Sequence, residues 1–202
     1  LLAGAGLLVR TLENLKNVDL GFRRDNLLLF SIGYDATYDG VRRAALSTSV
    51  LSALEALPGV RSATFGIGGM LTSAPLGPVA IRVVGYVSQQ GEQMDADFHY
   101  AGPRYFETLG IPLRHGRGFG DADMVPVANQ PISAFAKLPP NPNAPVAPSV
   151  AVVNEALARR YFGADDPIGH VIRVGAGIQA FRIIGVAKNT AFQDLRETSY
   201  PD

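Results

Sequence analysis

The sequence predicts an α+β fold in which a larger lobe of the order β-α-β-β-α-β is followed by a smaller α/β lobe. Apolar residues alternate at the two-residue spacing of strands around residues 28–34 and 63–67, and they recur at helical spacing between those segments. A proline-rich stretch at 125–149 separates these elements from a second group. At 202 residues, the chain has the length of one domain or of two small lobes.

The larger lobe is predicted to cover residues 25–120 and to open with a strand-helix-strand unit. Its first strand is followed by a helix that Asp39 caps and that begins at Gly40 or at residue 41. The strand at 63–67 completes the unit, and the connection is long enough for parallel pairing. The helix should therefore cover one face of a sheet.

A hairpin and a short helix complete the larger lobe. Residues 79–87 and 94–101 predict two strands joined by a polar turn. Pro103 suits the first position of a short helix, Gly110 ends that helix, and a strand-like run follows at 111–113. Together with the first unit, these elements give the split βαβ order.

The smaller lobe, residues 150–202, follows a predicted linker. Seven of the 14 prolines lie within 125–149, a segment without a periodic apolar face, so we predict that it is extended or mobile. The predicted elements of the smaller lobe are a strand at 150–153, a helix that Asn154 caps and Gly163 ends, and strands at 170–174 and 181–187.

A helix is also predicted ahead of both lobes, in residues 1–20. The apolar run at 1–9 is too short to cross a bilayer, which takes about 20 residues. The same period continues through Leu12 and Leu15, with charged residues between them, as one amphipathic helix. We interpret this segment as the end of a membrane helix that continues into a stalk. The alternative is an ordinary N-terminal helix that packs on its own domain.

Composition excludes several classes of function. The 18 basic and 18 acidic residues balance, so no net positive field favours nucleic acid as a partner. The absence of cysteine excludes disulfides, thiolate metal sites and a cysteine nucleophile.

The strongest candidate for chemistry is the trio Asp95, Asp97 and His99. A strand's two-residue period places all three on one face, where two carboxylates and an imidazole are able to hold a divalent ion. The same alternation is typical of any half-exposed strand, and no fourth ligand follows from the spacing. We favour a solvated face, and a metal- or ligand-binding domain or enzyme that uses these residues is the alternative.

The remaining motifs give weaker evidence for a functional site. Asp121 and Asp123 form a D-x-D pattern that most simply caps a turn or short helix. The clustered glycines do not match a dinucleotide or phosphate loop, and His115 and His170 stand apart from any catalytic motif. The sequence therefore predicts no catalytic residue, no metal ligand and no cofactor.

Six runs follow one another along the chain: 4–22, 105–113 (YFETLGIPL), 116–119 (GRGF), 152–162 (VVNEALARRYF), 166–169 (DPIG) and 183–186 (IIGV). In this order and spacing they resemble the MacB-like periplasmic core domain of FtsX-like permeases. Each run alone is weak, whereas the ordered set covers nearly the whole chain. The proline-rich segment is longer than this part of the family pattern usually is.

The resemblance implies the extracytoplasmic domain of a type VII ABC transporter permease. It implies a porter-like larger lobe, an inserted smaller lobe, and a location on the periplasmic side of the bacterial inner membrane. The implied partners are a cytoplasmic ATP-binding subunit, the membrane through the N-terminal helix, and a second permease in a dimer. The resemblance implies that the domain works by motion rather than by catalysis, and it indicates no catalytic residue. The transported substrate does not follow from the resemblance.

Overall fold

The structure is a computed structural model that describes residues 20–33, 40–67, 78–124, 149–175 and 179–190. Its helices are α1 (Gly40–Glu55), α2 (Tyr105–Leu109), α3 (Glu155–Phe162) and a 3-10 turn at Asp121–Asp123. Its strands are β1 (Gly66–Ile67), β2 (Pro78–Val83), β3 (Asp95–Asp97), β4 (Tyr100–Ala101), β5 (Leu113–Gly116), β6 (Ser149–Asn154), β7 (Val171–Val174) and β8 (Gln179–Ala187).

Strand β8 organises a six-stranded mixed sheet. It pairs antiparallel with β7 and with β5, and parallel with β6. Strand β2 joins the other edge of β7, and β3 pairs with β2 as a hairpin. The order along the sheet is β3-β2-β7-β8-β5, with β6 on β8. The α+β class predicted from the sequence is therefore confirmed.

The six-stranded sheet combines strands from both predicted lobes. Strands β2, β3 and β5 come from residues 25–120, and β6, β7 and β8 come from residues 150–202, yet all six share one sheet. Strand periodicity fixes which face of a strand is apolar, but it does not choose the neighbouring strand. The porter-like lobe and its boundaries therefore stay a prediction.

Helix α3 packs on one face of the sheet and closes the main core. Ile81, Val83, Ile172 and Ile183 point to this face from three strands, and Tyr161 packs on them from the helix. Ile183, at 0% exposure, is the centre of this layer. The helix forms here because Asn154 accepts a hydrogen bond from Leu157 N at its start and Gly163 ends it, as predicted.

A second core surrounds the short helix α2. Tyr105, Phe106, Leu109 and Ile111 are buried together with Ala187 at the end of β8. Gly110 ends the helix with a left-handed conformation, φ 65°, as predicted from the sequence. The predicted role of Pro103 is wrong, because Arg104, with φ 56°, precedes the first helical residue.

The first predicted strand does not form. Residues 28–33 are described without strand pairing, and Leu28, Leu29 and Phe30 are 84%, 60% and 52% exposed. The predicted parallel unit is absent from the described residues as well, because β1 pairs antiparallel with β4. Alternation marks a segment with one apolar side, but a strand also needs a partner backbone for its hydrogen bonds.

Other predictions agree with the structure or lie outside it. The hairpin of β2 and β3 and the helix starting at Gly40 are confirmed. Residues 1–19 of the predicted stalk (1–20) and residues 125–148 of the predicted linker (125–149) fall outside the described residues. Within the part that the structure describes, no helix has both the length and the apolar character needed to cross a membrane.

Candidate functional site at the base of the domain

The chain enters and leaves the described domain at one place. Gly21 lies against Asn189 and Thr190: a Cβ added to Gly21 would meet the Asn189 carbonyl oxygen and would lie 2.7 Å from Thr190 Cγ2. Gly21 has φ +78°, so glycine is needed both for this conformation and for this approach. We call residues 20–23 the incoming segment, residues 188–190 the outgoing segment, and their junction the base.

The incoming segment is held by α2 and by the second core. Leu20 is 5% exposed, and Phe22 packs against the cluster around Phe106 and Leu109. The Arg23 backbone N–H donates to the Leu109 carbonyl over 2.7 Å. Since the hydrogen bond uses backbone atoms and Phe22 supplies apolar packing, the incoming segment is attached to the domain by two independent kinds of contact.

The outgoing segment is held by Pro112, just before β5, and by the N-terminus of α3. The Lys188 N–H donates to the Pro112 carbonyl over 2.9 Å, and the Asn189 N–H donates to Glu155 Oε2 over 3.2 Å. Asn189 Oδ1 accepts from Ala156 N over 3.0 Å. The first backbone N–H groups of a helix lack partners within it, so Asn189 supplies one of those partners from the outgoing segment.

The Glu155 carboxylate joins three elements at the base. One oxygen accepts from Asn189, and the other accepts from Arg114 Nε of β5 over 2.9 Å. Glu155 lies in the first turn of α3, where a negative charge is favoured by the helix dipole. An exposed ion pair adds little stability, so the consequence is mainly geometric: β5, α3 and the outgoing segment share one anchor.

A second polar network ties the β2–β3 hairpin to α3. Glu92 accepts from Tyr86 OH over 3.1 Å and from Gln89 N over 3.0 Å, and Arg160 lies 3.6 Å from the same carboxylate. The hydrogen bond from Gln89 N, followed by that from Tyr86 and the nearby charge of Arg160, lowers the pKa of Glu92, although partial desolvation of the carboxylate opposes this shift. The rings of Tyr86 and Tyr161 meet edge to face at 5.1 Å. The hairpin is therefore fixed to the helix that receives the outgoing segment.

The predicted metal candidates lie on β3 and just after it. Asp95 and Asp97 are exposed on β3, opposite Ala80 and Pro78, and β3 ends before His99. Among the residues that the structure describes, no group of three or more His, Asp or Glu side chains is placed to hold a metal ion.

The remaining candidates have structural roles. Asp123 caps the 3-10 turn through Gly120 N, over 2.9 Å, and receives both terminal nitrogens of Arg117 at 2.6 and 3.0 Å. The capping role predicted for this motif is confirmed. His115 is exposed on β5, with Nδ1 4.0 Å from Asp166, and the exposed His170 packs its ring 5.1 Å from that of Phe162.

Comparison with known proteins identifies the family. The sequence profile of the MacB-like periplasmic core domain matches residues 3–199, which is nearly the whole chain. The chain belongs to this family. Among curated protein sequences, none matches the chain.

Solved structures similar to this MacB-like domain come from several bacteria. The periplasmic region of MacB from Actinobacillus actinomycetemcomitans is 18% identical, over 73% of this chain and 52% of that one, with a TM-score of 0.41. The extracellular domain of the noncanonic ABC-type transporter YknZ from Gram-positive bacteria is 17% identical, over 71% and 57%, with a TM-score of 0.38. A domain of a putative permease protein from Porphyromonas gingivalis is 16% identical, over 70% and 50%, with a TM-score of 0.39. The match thus spans only about half of each solved chain.

Sequence reasoning missed the contacts at the base of this MacB-like domain. Asn189 and Ala156 are 33 residues apart, and Arg114 and Glu155 are 41 apart, so no local spacing links them. The one available signal was Gly21, a glycine just after the predicted N-terminal helix, at which the incoming segment lies against Asn189 and Thr190 of the outgoing segment.

Proposed function

We propose that this MacB-like domain is the extracytoplasmic domain of an ABC transporter permease, in which it transmits ATP-driven motion, binds partners or substrate, or does both, without catalysis of its own. One observation carries the proposal: the incoming and outgoing segments touch at Gly21 and Asn189. A domain inserted between two successive membrane helices needs this arrangement, because both helices must reach it from the same membrane surface.

The geometry of the base supports transmission of motion. The incoming segment is bonded to the Leu109 carbonyl and the outgoing segment to the Pro112 carbonyl, so both hold the short connection between α2 and β5. Glu155 adds α3 to the same anchor. Packed elements of this kind move together rather than deform, so a displacement of either membrane helix would be passed to the sheet as a whole.

Family membership supports the rest of the proposal. The location is the periplasmic side of the bacterial inner membrane, and the proposed partners are a cytoplasmic ATP-binding subunit, the membrane through residues 1–20, and a second permease in a dimer. The rival function, a metal- or ligand-binding domain or enzyme that uses Asp95, Asp97 and His99, has no observation in its favour beyond strand alternation.

Accessibility of a single thiol tests the topology. The sequence has no cysteine, so Val87→Cys, at a position 88% exposed, introduces one in this domain. In a full-length permease without other cysteines, we expect a membrane-impermeant maleimide to label this thiol in intact spheroplasts as fully as in lysed ones. The ATP-binding subunit should co-purify with the same permease. Labelling only after lysis would overturn the proposed topology.

A further inference from the structure

The face of the sheet opposite to α3 carries three arginines on neighbouring strands. Arg82 of β2 and Arg173 of β7 are register partners, and Val171, two residues before Arg173, is the partner of Arg182 on β8. Residues in register point to the same side of a sheet, as do residues two apart along a strand. All three side chains therefore stand on the outer side, and we call this surface the arginine face.

The arginine face brings positive charges together on neighbouring strands. Like charges directly opposite each other on paired strands are destabilising, and Arg82 and Arg173 are such a pair. The side chains of Arg82 and Arg182 are exposed, and among the described residues neither side chain forms an ion pair or a hydrogen bond.

We propose that the arginine face is a docking surface for an acidic segment of a partner protein. A guanidinium presents a planar fork of N–H donors that matches a carboxylate, and arginine is favoured for such contacts at interfaces. From β2 through β7 to β8 the three arginines extend over about 10 Å, because neighbouring strands lie about 4.8 Å apart. That spread fits several carboxylates of one polypeptide better than a single small anion.

The position of the face favours a protein over lipid headgroups, an argument that rests on the proposed function. If the base faces the membrane, Ala187 at the end of β8 is close to it, and Arg182 lies five residues earlier. At about 3.4 Å per residue this separation is about 17 Å. Attraction between exposed charges is largely screened beyond about 8 Å at physiological salt, so headgroups at the base would act weakly on this face.

The test measures binding of a fluorescent ten-residue glutamate peptide to the 202-residue chain by anisotropy, with and without the double substitution Arg82→Ser and Arg182→Ser. We expect the wild type to bind with an affinity that falls as salt is raised, and the double variant to bind about tenfold more weakly. The matched control is Arg42→Ser with Arg61→Ser, which removes two exposed positive charges elsewhere and should leave the affinity within about twofold.

Other outcomes would overturn the proposal. They are equal losses in the test and control variants, no peptide binding at all, binding to phosphatidylglycerol vesicles without binding to the peptide, or self-association by sedimentation that depends on the same arginines.

Thermal midpoints complete the test. We expect Arg82→Ser and Arg182→Ser to leave the thermal midpoint unchanged or to raise it. A lower midpoint would mean that the chain's own acidic residues use these arginines, and would overturn the proposal. All these measurements are independent of the thiol-labelling test, so the two proposals can fail separately.

Discussion

Gly116 and Gly185 are register partners where β5 meets β8, and their backbones approach too closely for a Cβ on either residue. A Cβ on Gly116 would meet the Ile184 carbonyl and would lie 2.9 Å from Gly185 Cα, while one on Gly185 would meet the Arg117 carbonyl. Gly116 also has φ +69°. This contact allows β5 to join the sheet beside the end of β8, where the outgoing segment begins.

Gly185→Ala should therefore destabilise the domain by about 2 kcal/mol, because the added methyl group meets backbone that cannot move aside. Gly116→Ala should cost more, because it adds a left-handed conformation to the clash. Urea unfolding measures both. The matched controls are Gly33→Ala for Gly185 and Gly59→Ala, at φ +88°, for Gly116, since neither control site has an atom within 4 Å of the added Cβ. Equal losses in test and control variants would contradict the close approach.

Asn189→Ala should weaken the coupling of the outgoing segment to α3. It leaves the Ala156 N–H without its partner and should cost about 1 kcal/mol of stability. Asn154→Ala is the matched control, because it removes the other cap of the same helix, at Leu157 N, without touching the outgoing segment. In the full-length permease with its ATP-binding subunit, we expect only Asn189→Ala to lower the transport or partner-release phenotype while ATP hydrolysis persists. A comparable loss in both variants would indicate a stability effect alone.

The Arg117–Asp123 pair should give the domain an acid-sensitive contribution to stability. The hydrogen bond from Arg117 holds the pKa of Asp123 below its ordinary value of 3.8. A depressed folded-state pKa contributes stability that is present above pH 3.8 and is lost as the pH falls from there through the lower folded-state value. Thermal midpoints measured between neutral pH and strong acid should fall less steeply below pH 3.8 for Asp123→Asn than for the wild type. Parallel curves would show that the pair does not contribute.

The stalk predicted before the domain should transmit motion only while it is stiff. Residues 10–18 would advance about 1.5 Å each as a helix, about 13 Å in all. Replacing Asn14 and Leu15 by glycines should cost about 2 kcal/mol of helix propensity and allow bending. In the full-length permease we expect ATP hydrolysis to persist and the transport or partner-release phenotype to be lost. A full phenotype in this variant would make the stalk a tether only.

No specific divalent metal binding is expected at Asp95, Asp97 and His99. The motivation for a site here is strand alternation, and β3 ends at Asp97, before the histidine. Calorimetry with zinc, manganese and calcium is the measurement, with Asp97→Ala as the comparison. Micromolar binding by the wild type that is lost in the variant would restore the metal-binding alternative.

Local signals in the sequence predicted local structure well. Asn154, Gly110 and Gly163 mark helix ends through hydrogen bonds and backbone angles that depend on a few neighbouring residues, and each has the predicted role. The pairing of β2 with β7, and of β5 with β8, depends instead on packing across the whole domain. Alternation at 28–33 likewise showed an apolar side without showing a partner strand.

The candidate site was beyond sequence reasoning for the same reason. The base is formed by Gly21, Glu155 and Asn189, which come from three distant parts of the chain. Each is an ordinary residue in its own local context: a glycine after a predicted helix, an acid in a first helical turn, and an asparagine after a strand. Only the fold gives them a common function.

Because β8 pairs with β5, β6 and β7, the sheet has consequences for the order of events during synthesis. Strands β2, β3 and β5 are made early, but β5 has no partner in the sheet until residues 185–187 emerge, and the β2–β3 hairpin must wait for β7 to extend it. Such non-local pairing slows folding and leaves strand edges open in the meantime. The emerging chain is therefore exposed to aggregation until the last described strand is complete, which makes β8 the element on which the yield of folded domain depends.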